Sequence, residues 1–379
     1  MKSTDIPAPY YDFDPSVAAA VAEAHEQHAN ATFAELADRY DLSDGATVVP
    51  DGEYGKAFEI LTLKPKGDYD ETTARVLHLP MACVIDPAQA MQAMHTFAAD
   101  PSEQMIVVGN AGVLGHGYGR LSLKDAVVVS ENDLSPTVNP LLAYLRESGI
   151  TDTRHIGSSY GAAKTMVASM KAHEFGINVS QAVAIDPPNV YPRTLAELAK
   201  AFKSTCTDYE LEEHEQLRLF GHEKVERVNK LRNAIARPGI PAVIEAHRLA
   251  DKGLVRYVLG LLRPTNIAIA TALTEQRYGF GAAAGTALRK QPNMRAATFW
   301  GTKSELADDE SMAKLTEYLD EKYTVKNDKG EKIDSRFFGA SVQNMYHADI
   351  NDVDLQTGLI LQGLRETTPR TAAALALAS

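Results

Sequence analysis

Apolar and polar residues alternate through KAFEILTLKP (56–65), the period of two expected of a strand at an antiparallel edge. An Ala-rich stretch before it, residues 15 to 40, carries the longer period of a helix pair. From ARVLHLPM (74–81) onward the pattern becomes strand, helix, strand, helix. DPAQAMQAMHTFAAD predicts a helix with Asp86 as N-cap and Pro87 at its first position. QMIVVGN (104–110) predicts a buried strand, and a Gly-rich loop follows.

In NPLLAYLRESG, Asn139 is the expected cap, Pro140 the opening and Gly149 the close of another helix. RHIGSS predicts a strand, YGAAKTMVASMKAHEFG a helix ending at Gly176, and QAVAID (181–186) a further strand. Such alternation implies a parallel sheet covered by helices on both faces. It stops after Pro187 and Pro188, and about a hundred mainly helical residues follow. It resumes with the strand RAATFWG (295–301), a helix over 311–323, the turn NDKG, the strand SRFFGASV and a last helix, DVDLQTGLILQGL. The expected organisation is an N-terminal helical extension (1–50), a first part of an α/β core (51–188), a helical insertion (189–292) and a second part of the core (293–379).

Composition narrows the classes. The 379 residues carry a net charge of −12 without a dense Lys/Arg block, so a nucleic-acid footprint is not expected. The two cysteines, Cys83 and Cys206, make neither a disulfide framework nor a short-spaced metal motif. His25 and His28 share a helix face, but HEQH is not the spacing of a zinc helix; the simpler reading is two solvent-facing histidines and no metal. The start of the chain lacks the apolar core of a signal peptide, and no apolar run reaches membrane-spanning length. A cytoplasmic protein without a membrane span is the expectation, its oligomeric state open, a homodimer included.

Gly157, Ser159 and Gly161 spell G-x-S-x-G between a strand and a helix. That placement suits a nucleophilic serine: a sharp strand-to-helix turn has no room for side chains on either side, and the helix N-terminus favours developing negative charge. A serine hydroxyl needs an adjacent base. Beyond the elbow helix the chain offers His214, His222 and His247, all in the insertion, and then His347.

On the elbow GSSYG, the loop GNAGVLGHGYG, the helical break after AVAIDPP, the strand end FWGTKSEL and the late MYHADI, the chain resembles the α/β-hydrolase superfamily over roughly residues 55 to 365. The resemblance implies a mostly parallel eight-stranded sheet with a helical cap after the sixth strand. It implies Ser159 as nucleophile and His347 as base. The family's usual acid follows the seventh strand in G-x-x-D, but here that stretch is Gly301, Thr302, Lys303, Ser304. Asp186, which ends the sixth strand, and Glu305 are equal candidates, with Asp308 third. The oxyanion donors implied are the backbone amides of Tyr160 and Met81, Pro80 having none to offer and Ala82 standing behind Met81.

The function implied is a serine hydrolase of carboxylic esters or related small acyl substrates, without cofactor. Two alternatives stand beside it. A catalytically dead hydrolase fold would serve as a binding or assembly module. The glycines 109, 112, 115 and 117, with Glu131 some twenty residues on, resemble a dinucleotide loop, although GHGYGRLSLKD is poor in helix formers.

Overall fold

The computed structural model describes residues 11–28, 31, 33–40, 47–49, 58–80, 87–110, 121–131, 133–188, 190–198, 200–201, 264–274, 279–326, 329–330 and 332–369. The elements are α1 (Pro15–His28), α2 (Phe33–Arg39), β1 (Thr47–Val49), β2 (Phe58–Leu63), β3 (Thr73–His78), α3 (Pro87–Ala99), β4 (Met105–Val108), α4 (Leu123–Ser130), α5 (Ser135–Glu147), β5 (Asp152–Ser158), α6 (Tyr160–Lys171) and β6 (Asn178–Ile185). They continue with α7 (Pro264–Thr274), α8 (Phe280–Lys290), β7 (Arg295–Gly301), α9 (Asp309–Lys322), the hairpin β8 (Thr324–Lys326) and β9 (Lys332–Ser335), β10 (Phe337–Val342) and α10 (Val353–Glu366).

Eight strands form one sheet in the order β1-β2-β4-β3-β5-β6-β7-β10. β1 and β2 are antiparallel, as are β2 and β4, and every later pairing is parallel. β4 and the second half of β6 are apolar on both faces because both faces are covered, whereas β3 and β5 between them also bury Arg75, His78, Thr153 and His155. In β6, Ala182 and Ala184 point to one core while Val183 and Ile185 point to the other. In β4, Ile106 and Val108 alternate with Met105 and Val107 in the same way. α5, α6 and α8 cover one side. On the other side α3 and α10 supply Met94, Phe97, Leu359 and Ile360, and α1 packs on both of those helices.

Several sequence expectations are corrected. The 56–65 strand is not the sheet edge: β1, inside the segment expected to be a helical extension, pairs outside it. α5 starts at Ser135, ahead of the expected Asn139 cap, because Asp133 already accepts from the Ser135 amide at 2.9 Å and Pro136 occupies the first turn; Pro140 falls inside the helix. α8, within the range expected to be insertion, packs on α6 and β7 as part of the core. Most of the insertion, both cysteines and the glycine loop from 111 to 119 lie outside the described residues. Among the described residues no helix is long and apolar enough to cross a membrane.

Candidate active site

Ser159 lies between β5 and α6 with φ 53° and ψ −127°, a strained conformation for a non-glycine residue. The glycines on either side explain how the bend closes. A Cβ on Gly157 would come within 2.4 Å of the Gly161 backbone, and a Cβ on Gly161 within 2.1 Å of the His78 carbonyl oxygen. The turn therefore presses α6 directly against the ends of β3 and β5. The Ser159 side chain makes no capping bond to its helix, which leaves the hydroxyl available.

His347 opens a short 3-10 helix (His347–Asn351) after β10. This loop is stitched to the end of β7: Lys303 N donates to Met345 O at 3.2 Å, Thr302 N to Val342 O at 3.1 Å, and Asn344 N to Thr302 Oγ1 at 3.0 Å. Gly301 leaves the needed space, since a Cβ there would meet Met345 O at 2.1 Å. Tyr346 N is held by Asp349 Oδ2 at 2.8 Å, which sets the start of the turn.

Three buried side chains converge. His347 Nε2 lies 2.9 Å from Ser159 Oγ, and His347 Nδ1 is hydrogen-bonded to Asp186 Oδ2. Ser159 is 4% exposed, His347 6% and Asp186 0%. A carboxylate can only accept, so Nδ1 carries the proton and Nε2 is left to accept from the serine hydroxyl. Asp186 is held from two further directions. Gly301 N donates to its Oδ1 at 3.0 Å, and Ser304 Oγ donates to its Oδ2 at 2.6 Å. Ser304 Oγ in turn accepts from Leu306 N at 3.2 Å and Ala307 N at 3.1 Å. Asp186 has φ 50°, a second strained residue beside the first.

Both ring nitrogens of His347 are thus engaged, and neither Glu305 nor Asp308 is the carboxylate on the imidazole. Glu305 stands on the neighbouring loop, where its carbonyl accepts from Arg193 Nη1 at 3.2 Å. Asp308 caps α9, accepting from Ser311 N at 2.9 Å. Tyr160 is the first residue of α6, so its amide has no intrahelical acceptor; its phenol is buried and pushed up to about 12. Met81 lies outside the described residues.

Sequence reasoning missed two buried polar partners of the elbow. Gln356 Nε2 of α10 donates to Ser158 Oγ at 3.0 Å, and Gln92 of α3 bonds the same Gln356. Glutamines inside otherwise apolar helix faces were the available signal. His25 and His28 are also not simply solvent-facing: His25 bonds Asp354 at 3.2 Å, and half-buried His28 bonds Tyr40 Oη at 2.9 Å. Burial, with His95, Arg39 and His25 nearby, holds His28 down at about 4. Among the described residues no cluster of His, Cys, Asp and Glu is arranged to hold a metal ion.

No protein-family model and no curated protein matches the sequence. Solved structures do resemble the fold. An α/β hydrolase fold protein from Chitinophaga pinensis superposes at TM-score 0.48 with 11% identity, covering 84% of this chain and 98% of that one. The 2-hydroxy-6-oxo-6-phenylhexa-2,4-dienoate hydrolase of Rhodococcus sp. strain RHA1 gives 0.47 and 12%, covering 84% and 99%. MGS-M2, an α/β hydrolase enzyme from a Medee basin deep-sea metagenome library, gives 0.45 and 14%, covering 86% and 100%. With its antiparallel second strand, the parallel strands after it and a sharp strand-to-helix bend following the fifth, this chain has the α/β-hydrolase fold.

Proposed function

We propose that the protein is a serine hydrolase of the esterase type, cleaving a carboxylic ester or related acyl substrate through an acyl-enzyme. The observation that carries this reading is the hydrogen-bonded line Ser159 Oγ, His347 Nε2, His347 Nδ1, Asp186 Oδ2, built on a strained bend and buried from solvent.

In the first half-reaction Ser159 Oγ attacks the substrate carbonyl carbon while its proton passes to His347 Nε2. The imidazolium so formed is stabilised by Asp186, which the Gly301 amide and the Ser304 hydroxyl orient. The C–O bond to the leaving group breaks as Nε2 returns the proton to it. In the second half-reaction a water, deprotonated by Nε2, attacks the acyl-enzyme; the Ser159 ester bond breaks and the hydroxyl is restored. The oxyanion of each tetrahedral intermediate accepts hydrogen bonds from the Tyr160 amide and, on the sequence argument, the Met81 amide. The positive end of α6 adds to that stabilisation.

Labelling by a fluorophosphonate probe, together with hydrolysis of p-nitrophenyl esters of graded chain length, tests the reading. The wild type labels and turns over, and Ser159→Ala loses the label and at least about 10⁴-fold in kcat. Turnover that survives Ser159→Ala refutes the mechanism. A wild type that neither labels nor hydrolyses any ester leaves the fold as a binding module.

A further inference from the structure

Two buried glutamines meet in the layer that α3 and α10 form against the sheet, on the side filled by Met94, Phe97, Leu359 and Ile360. Their amides make a chain with one direction. Gln92 Nε2 donates to Gln356 Oε1, and Gln356 Nε2 donates to Ser158 Oγ at 3.0 Å. A buried amide must have its donors and acceptors matched, a demand that an apolar side chain of the same length would not make. The far end of this chain therefore indicates what it does. Side chains alternate along β5: Gly157 faces α6, while Ile156 and Ser158 face α10. Ser158 is also the residue joined by a peptide bond to the nucleophile.

Gln356 is joined to the base as well. It stands in the first turn of α10, and backbone hydrogen bonds run to it from the turn that carries the imidazole. Asp349 N donates to Tyr346 O at 3.1 Å, Asp352 N to Asp349 O at 2.9 Å and Gln356 N to Asp352 O at 2.9 Å. Asp352 Oδ1 caps the helix by accepting from Leu355 N at 3.0 Å. At the other end, Ser159 N donates to Ile185 O at 2.8 Å, which holds the nucleophile's backbone to β6. The links close a circuit: Ser159, its neighbour Ser158, Gln356, the turns back to His347, and the 2.9 Å contact from His347 Nε2 to Ser159 Oγ. A misplacement of about 1 Å between reacting groups can cost about 10² in rate, so the part of the circuit outside the reacting pair bears on catalysis.

We propose that Gln356 is a positioning residue for the Ser159–His347 pair: it ties the helix that follows the base to the residue that precedes the nucleophile, and Gln92 fixes the direction of its amide. The proposal rests on the serine hydrolase reading and adds to it a tie that the triad does not contain. In the acyl-enzyme the Ser159 hydroxyl is consumed, so its hydrogen bond to Nε2 is lost while the imidazole must activate water. Neither Gln356 nor Ser158 reacts, so their bond persists and keeps the base beside the acyl ester through the second half-reaction.

Two substitutions at the bond and one beside it test this. Gln356→Met keeps the length of the side chain and removes the amide, and Ser158→Ala removes its acceptor. In each, kcat on a p-nitrophenyl ester falls about ten- to hundredfold while KM stays within about threefold of wild type, and the rate of fluorophosphonate labelling falls by a similar factor. The two changes break one bond, so the double variant Ser158→Ala/Gln356→Met loses no more than the weaker of the single variants. Thr357→Val is the control. It removes the 3.0 Å hydrogen bond between Thr357 Oγ1 and Thr96 Oγ1, which ties the same two helices without touching the elbow. It lowers the unfolding midpoint and keeps kcat within about twofold of wild type. Ser158→Ala supplies the decision if Gln356→Met does not fold. Wild-type kcat in a folded variant at the bond, losses that multiply in the double variant, or a loss in Thr357→Val as large as in Gln356→Met each overturn the proposal alone, provided the wild type reacts with fluorophosphonate. A wild type inert to that probe removes the hydrolase reading and this proposal with it.

Discussion

Ser304 stands where the resemblance leads one to look for an acid, and its hydroxyl is bonded to an acid that comes from the neighbouring strand. A short side chain at 304 leaves room for Asp186 to reach the imidazole across the end of β7. Removing that hydroxyl takes away one of three bonds to the carboxylate and leaves the Leu306 and Ala307 amides without their acceptor. A hydrogen bond to a charged group is worth about 1.5–3 kcal/mol. Ser304→Ala is therefore expected to lower kcat about ten- to hundredfold with KM little changed, as read from steady-state ester hydrolysis. Asp186→Asn removes the acid itself and costs about 10⁴-fold, whereas Glu305→Gln leaves kcat within about threefold. A large loss at Glu305 with tolerance at Asp186 would reverse the assignment. The motif around Ser159 and the position of His347 were legible in the chain. The choice among Asp186, Glu305 and Asp308 was not, because it depends on which carboxylate the β6–β7 pairing brings to the ring.

At the scale of an element, the bend between β5 and α6 leaves no room for a side chain at Gly157 or Gly161. Gly161→Ala would drive a methyl group onto backbone at β3, where no side chain can yield. Denaturant unfolding should show a loss of about 3 kcal/mol or more, and fluorophosphonate labelling should fail. Gly285, inside α8, is a contrasting case. A Cβ there would find Leu319 and Tyr323 at 3.7 Å, ordinary contact distance. Gly285→Ala should stabilise by about 0.5–1 kcal/mol through helix propensity, seen as a higher unfolding midpoint in the same titration. Most strands and helices were readable from periodicity and Gly/Pro punctuation. The exceptions have local causes: β1 is three residues long, too short for a period to register, and Asp133 starts α5 before the Asn-Pro pair that looked like its opening.

For the whole molecule, the two faces of the sheet enclose a histidine pair the proposed chemistry does not use. His78 of β3 and His155 of β5 stack at 5.2 Å and share a hydrogen bond of 3.0 Å. Burial holds His155 down at about 3, and burial with His155 and Lys164 beside it pushes His78 well below the usual imidazole range. Both are neutral in the folded protein and protonate near pH 6.5 once unfolded. The unfolded state then binds more protons below that pH, so stability is fully present above about 6.5 and declines as the pH falls toward 3. Urea unfolding should show a drop of about 2 kcal/mol or more between pH 7.5 and 5. His155→Gln should flatten that slope. A stability that stays level across this range would mean the pair is not held neutral.

The chain by itself determined the alternation of strands and helices, the interruption after Pro188, and a serine set in a bend that only flanking glycines permit. Those are local properties: side-chain period, backbone freedom and the spacing of small residues act within a few positions of one another. Only the tertiary structure decided that Asp186 and His347, 161 residues apart, share a hydrogen bond, that Ser304 supports an acid instead of being one, and that Lys164 reaches the end of β3 through Asn110. Each of these depends on the order of strands in the sheet, which arises from burying both of its faces at once and leaves no mark at any single position.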